Sequence, residues 1–98
     1  MTKPLEGVKV VELGQLIAGP FAGKVFSEFG AEVIKIEPPG GDPLRKWRKL
    51  HNGTSLWWYV QNRNKKSVTV DLRLSDGQDV VRRIARNADV VIDRKSVV

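Results

Sequence analysis

Val8-Lys-Val-Val-Glu-Leu-Gly14-Gln-Leu-Ile-Ala-Gly19-Pro-Phe21, followed after a short interval by Ala31-Glu-Val-Ile-Lys-Ile-Glu37, reads as a strand, a turn, a helix and a second strand. Val8, Val10, Val11 and Leu13 form the kind of apolar run that a buried parallel strand carries, and Gly14 ends it. Gly19-Pro20 opens the helix, predicted over Pro20–Phe29, and Gly30 is placed to close it in a left-handed cap. Phe21, Val25, Phe26 and Phe29 recur at helical spacing, which predicts an apolar face packed on the sheet. Backbone N–H groups and the positive helix end then face the space above the strand tip, a place suited to an anionic ligand. The turn has only Gly14 and Gly19, with Leu16 and Ile17 between them, so it lacks the three-glycine dinucleotide fingerprint and NAD is disfavoured.

Outward from this unit, Val33, Ile34 and Ile36 predict a second strand over Ala31–Glu37, covered on both sides and interrupted only by Lys35. Pro38-Pro39-Gly40-Gly41 stops it. Pro43 to Lys49 predicts a helical turn, Leu56–Val60 a short helix, and the alternation of Val68, Val70 and Leu72 a third strand over Ser67–Leu72. Ser75 with Gln78 has the spacing of a capping box. The helix behind it carries a predicted buried stripe of Val80, Val81, Ile84, Ala85 and Ala88, with Arg82, Arg83 and Arg86 toward its C-terminal end. Asp89–Ile92 supplies a fourth strand. The order β-α-β, excursion, β-α-β predicts an α/β, Rossmann-like parallel sheet of order 3-2-1-4 flanked by helices, with its switch point above the first strand.

A chain of 98 residues buries roughly two-thirds of its unfolded surface, so its own stability is expected to be marginal. It has no cysteine, which suits a reducing cytoplasm, and no run near the ~20 apolar residues of a membrane span, so a cytoplasmic protein is expected. Seventeen Lys and Arg against eleven Asp and Glu give a net charge of +6. That balance raises two readings, nucleic acid or a phosphorylated small molecule. No helix-turn-helix, zinc-finger or RNA-recognition signature accompanies it, which ranks a small basic nucleic-acid-binding module far behind. His51 lacks partners at ligand spacing, so no metal is expected.

The Gly14–Gly19 turn, the helix after it, Glu37-Pro-Pro-Gly-Gly-Asp-Pro-Leu-Arg-Lys-Trp47, Asn62-Arg-Asn-Lys-Lys-Ser-Val-Thr-Val-Asp-Leu72 and Ala88-Asp-Val-Val-Ile92 occur in a fixed order. Together they resemble the N-terminal region of the class III CoA-transferases, the family of formyl-CoA:oxalate and carnitine CoA-transferases that also contains the 2-methylacyl-CoA racemases. The resemblance covers residues 4–92. It implies the N-terminal, Rossmann-like, CoA-binding part (residues 1–92) of an acyl-CoA:carboxylate CoA-transferase, a truncated part of a larger fold that forms an interlocked homodimer. Acyl-CoA and a carboxylate are the implied substrates, with no metal, nucleic acid or membrane partner. The family's nucleophilic aspartate, like the acid–base pair of its racemases, lies beyond residue 92, so no catalytic residue is expected in this chain and the chain alone is expected to be inactive. The longer Gly41–Trp47 and Ser55–Tyr59 stretch is similar to transferases, which leaves racemase as the runner-up. Residues 93–98 depart from the family pattern. Asp-Arg-Lys-Ser-Val-Val is also what a common sequencing adapter encodes in one frame, so these residues are expected to be a truncation artefact.

By position, the resemblance carries CoA contacts onto Gln15, Leu16, Ile17 and Ala18 in the first loop and onto Val70, Asp71, Leu72 and Arg73 after the third strand, with Arg73 as the phosphate-binding cation. Two departures stand out. Ile17 occupies the place of an amide in formyl-CoA transferases, which argues against formyl-CoA:oxalate activity, and Pro38 that of a phosphate-binding arginine, for which Arg45 is the expected substitute. The blander readings are a capping role for Gln15, core packing for Leu16 and Ile17, a salt bridge for Glu37 in place of the ribose contact of a dinucleotide site, and core or subunit interface for Trp57, Trp58 and Tyr59.

Overall fold

The computed structural model describes residues 3–93. The predicted tail therefore lies, from residue 94 on, outside the described residues. Four parallel strands form the central sheet: β1 (Lys9–Glu12), β2 (Glu32–Glu37), β5 (Lys65–Thr69) and β6 (Val90–Ile92). Their order is β5-β2-β1-β6, the predicted 3-2-1-4 arrangement. Val10 sits opposite both Val33 and Val90, and Lys35 opposite Ser67, so like faces align across the sheet. Helix α1 (Ala18–Glu28) joins β1 to β2, and α3 (Ser75–Arg86) joins β5 to β6. Between β2 and β5 runs an excursion made of a 3-10 turn (Pro43–Lys46), a two-stranded hairpin of β3 (Leu50–His51) and β4 (Thr54–Ser55), and the short helix α2 (Leu56–Gln61).

The two-residue alternation of a strand gives the sheet two different faces. On the α1 side, Val10, Ala31 and Val33 are buried with Phe26 packed against them. On the α3 side, Val11, Ile36 and Val70 are covered by Val81, Ile84 and Ala88. Burying each such valine contributes at most about 1.5–3 kcal/mol. The α1 face also carries what an apolar pattern hides: Glu12, Lys35 and Glu37 are all buried there.

That buried charge explains why the apolar stripe of α1 is not the face that meets the sheet. Phe21 is 52% exposed, Val25 40% and Phe29 51%; Gly19, Pro20, Gly23 and Ser27 are the buried positions, with Phe26 alone of the predicted four packed on the core. A Cβ on Gly23 would overlap the carboxylate of Glu12, so the helix can lie this close only through its small residues. The helix starts at Ala18, two residues before the predicted Pro20, which falls in the first turn where its missing N–H costs nothing. Gly30, at φ +103°, closes the far end: its N–H donates to Ser27 O and that of Ala31 to Phe26 O, both at 3.1 Å, the two bonds of a Schellman cap.

Three further expectations are corrected. The third sheet strand spans Lys65–Thr69, not Ser67–Leu72, because the chain turns at Asp71, whose carbonyl accepts from Leu74 N at 3.2 Å; Val70 still donates to Glu37 O at 2.9 Å. The Ser75–Gln78 capping box does not form: Leu74 is the N-cap, and the Gln78 amide instead donates to Leu72 O at 2.9 Å. Val80 is 43% exposed, and the stripe narrows to Val81, Ile84 and Ala88.

Candidate functional site

The ends of β1, β2 and β5 open onto one cavity of about 430 Å³. Its floor and walls are Leu13 and Gln15 after β1, Ile36 to Pro39 at the end of β2, and Val70 to Arg73 after β5. This is the crevice outside the carboxyl ends of parallel strands, where open α/β sheets hold ligands. Of the residues singled out from the sequence, Gln15, Val70, Asp71, Leu72 and Arg73 share this wall. Leu16 and Ile17 face outward, 38% and 41% exposed, and Ala18 begins α1. Gln15 does not cap that helix, whose first turn has no side-chain cap. Leu13, Ile36 and Pro39 were not singled out, and the signal for them is their position at strand ends; Pro38 puts an apolar ring where a cation was the family expectation.

Two glycines shape the approach. A Cβ on Gly14 would come 2.9 Å from the Cα of Gly19, and one on Gly19 2.8 Å from that of Gly14, so strand end and helix start touch backbone to backbone. The loop between them bulges outward at Leu16, which adopts φ +64°.

The electrostatics divide into an exposed pair on the cavity rim and a buried network behind it. On the rim, the Arg73 guanidinium reaches Asp71 with Nε to Oδ1 at 3.0 Å and a terminal nitrogen to Oδ2 at 3.1 Å, and Arg73 N also donates to Oδ1 at 3.0 Å. These hydrogen bonds hold the Asp71 carboxyl below its ordinary range and raise Arg73. The Arg73 side chain is 85% exposed, which leaves its outer edge open to an anion.

Behind the cavity, Lys35 Nζ lies 2.7 Å from Glu12 Oε2, 2.8 Å from Asp42 Oδ2 and 3.2 Å from Gly14 O. Lys65 Nζ lies 2.6 Å from Glu12 Oε1 and donates to Pro20 O at 2.8 Å. Burial lowers the Lys65 ammonium below its usual range even with Glu12 beside it. Glu37 accepts from Arg45 through both carboxylate oxygens at 2.8 Å, and from Asp42 N at 2.9 Å. Burial alone would raise the Glu37 carboxyl; the Arg45 hydrogen bonds, the Asp42 N–H and the charges of Arg45 and Lys35 outweigh it and hold the carboxyl low. Arg45 is therefore placed not on the wall of the main cavity but on Glu37, with its guanidinium 4.0 Å from the ring centre of the buried Trp58. Glu37 thus takes the salt-bridge role.

The carboxylates at this site are committed to cations, Asp71 to Arg73 and Glu37 to Arg45, so the geometry is that of a binding wall with apolar sides and one cationic edge. Among the described residues, no cluster of His, Cys, Asp or Glu is arranged to hold a metal ion, and no helix is long and apolar enough to cross a membrane. His51 stands edge-on to Tyr59, with ring centres 6.3 Å apart.

Comparison with known proteins places this architecture. Residues 5–97 match the family model described as CoA-transferase family III. A succinyl-CoA–D-citramalate CoA-transferase from Chloroflexus aurantiacus is 53% identical over 93 residues, which are 93% of this chain and 23% of that protein. The human succinyl-CoA:glutarate CoA-transferase is 43% identical over 93 residues, again 93% of this chain and 21% of the relative. Among solved structures, a CAIB/BAIF family protein from Brucella suis superposes with a TM-score of 0.85 at 41% identity, covering 93% of this chain and 25% of that one. The D175A mutant of Rv3272 from Mycobacterium tuberculosis gives 0.86 at 42%, covering 94% and 25%. The chain thus spans about a quarter or less of the length of the relatives it matches.

Proposed function

From the premise that the chain belongs to CoA-transferase family III, we propose that it is the N-terminal, coenzyme-A-binding part of an acyl-CoA:carboxylate CoA-transferase. The observation that carries the reading is the single cavity in which Gln15, from the first loop, meets Val70–Arg73, from the far side of the sheet. Its apolar walls suit the adenine and the thin pantetheine arm of CoA, and the outer edge of Arg73 suits a phosphate. Gln15 and the backbone of Val70–Leu72 supply hydrogen-bonding groups along the arm. Leu16, Ile17 and Ala18 shape the loop from outside, and Arg45 contributes through Glu37. The curated relatives named above act on succinyl-CoA and a dicarboxylate, which makes that substrate class the first to test. The nucleophilic aspartate lies beyond Ile92 in the complete protein, which works as a cytoplasmic homodimer without a metal, and the isolated chain is inactive.

The test is an assay of the complete protein for movement of CoA from succinyl-CoA to free dicarboxylates, with products separated by chromatography. New acyl-CoA is the expected result. Exchange of the α-proton of a 2-methylacyl-CoA without transfer would overturn the reading in favour of a racemase.

A further inference from the structure

We propose that Asp42 is a positioning residue that sets the Gly14–Ala18 loop, and through it the place of Gln15 on the cavity wall. Leu16 holds φ +64°, a conformation that a leucine adopts only when its surroundings impose it. The surroundings here are a set of hydrogen bonds on either side of that residue. Leu16 N donates to Asp42 Oδ1 at 3.1 Å, Gly14 O accepts from Lys35 Nζ at 3.2 Å, and Ile17 O accepts from the Gln61 amide at 3.4 Å. Asp42 is 1% exposed and cannot swing away: Oδ1 also accepts from Leu44 N at 2.9 Å, Oδ2 meets Lys35 Nζ at 2.8 Å, and its own N–H is held by Glu37 at 2.9 Å. Leu44, two residues on, is fully buried and anchors the turn.

Asp42 thus belongs to an excursion distant in sequence, yet it holds the one amide whose residue decides which way the loop bulges. With Leu16 turned outward, Gln15 faces the cavity. Were Leu16 to relax to negative φ, the peptide planes around it would rotate and Gln15 would leave the wall. The carboxylate has two separable tasks, accepting from Leu16 N and balancing Lys35, and replacements separate them. Asp42→Asn keeps an acceptor for Leu16 N and loses the charge. Asp42→Ala loses both.

The experiment, on the complete protein, pairs amide hydrogen exchange at Leu16 with CoA binding by calorimetry and with thermal melting. The binding half rests on the CoA reading above; the exchange half does not. In the wild type the Leu16 amide should exchange slowly although its side chain is half-exposed, and fast exchange there would overturn the proposal. Both variants should melt earlier, but only Asp42→Ala should lose protection at Leu16 and weaken CoA binding, by about tenfold. Asp42→Ala should add no further loss to Gln15→Ala, since it acts through Gln15. Binding losses in both variants that simply follow their loss of stability, or additive losses in the double variant, would overturn the positioning role. Should the wild type not bind CoA, the CoA reading fails alone, and the exchange contrast between Asn and Ala still decides for or against Asp42. Should Asp42→Ala not fold, the wild-type amide and Asp42→Asn decide: protection and binding kept in Asn support the role, and either one lost overturns it.

Discussion

Arg73 presents to the cavity rim a guanidinium that Asp71 holds on one side and leaves open on the other. If its open edge meets a phosphate of CoA, Arg73→Ala in the complete protein should weaken CoA binding, because a charge-assisted hydrogen bond is lost. Calorimetry with CoA and with dephospho-CoA locates the contact: a loss confined to CoA assigns it to the 3′-phosphate, equal losses to the pyrophosphate, and no loss rejects it. Gly23 is the contrasting case, silent in chemistry and demanding in space. Because its Cβ would overlap the Glu12 carboxylate, Gly23→Ala should destabilise the fold by about 1–3 kcal/mol, read from the denaturant midpoint. An unchanged midpoint would mean that α1 can lift off β1 at no cost. The place of Arg73 on the same rim as the first loop could be read by position from the family resemblance. Asp42 could not, since an aspartate after Gly-Gly and before Pro reads as an ordinary turn residue, and only its burial reveals the Leu16 and Lys35 contacts.

At the scale of elements, the sheet and most of the α3 stripe were legible and the face of α1 was not. Valine and isoleucine runs bounded by Gly14, by Pro38-Pro39 and by Asp71 leave little choice of strand or order. The α1 face was misread because apolar periodicity assumes an apolar floor, whereas here the floor is Glu12, Lys35 and Lys65, and small residues must cover it. The junction of β2 with the excursion carries its own pH signature. Glu37 has a folded-state pKa lowered from its ordinary value of 4.5, so the unfolded chain takes up the proton first as pH falls. The stability it contributes is complete above that value and is lost as pH drops through the folded-state value. In chemical denaturation of the complete protein, Glu37→Gln should therefore lie below wild type at neutral pH and approach it in acid; a gap of constant size across that range would show that Glu37 is not the titrating group.

At the scale of the whole molecule, the outward side of α1 presents Ile17, Phe21, Val25 and Phe29, while the excursion presents Leu50, Leu56, Trp57 and Tyr59. Patches of this kind on a chain spanning about a quarter of its relatives' length call for a cover. The isolated chain should accordingly self-associate at micromolar concentration in sedimentation velocity. Phe21→Lys with Phe29→Lys should reduce that association without lowering the melting temperature, because neither ring is in the core. A wild-type chain that stays monomeric would refute the expectation.

The two faces of the sheet give way to cold for different reasons. Under α1, shielded ion pairs lie beside the Val10, Ala31 and Val33 cluster; under α3 lie Val11, Ile36 and Val70, and no residue of α3 is itself fully buried. Hydrophobic attraction weakens on cooling, and the cost of keeping ions out of water rises at the same time, so chilling loosens both layers. Near freezing, the amides of α1 and of α3 should both lose protection, and a loss confined to α3 would show that the ions under α1 carry no such cost.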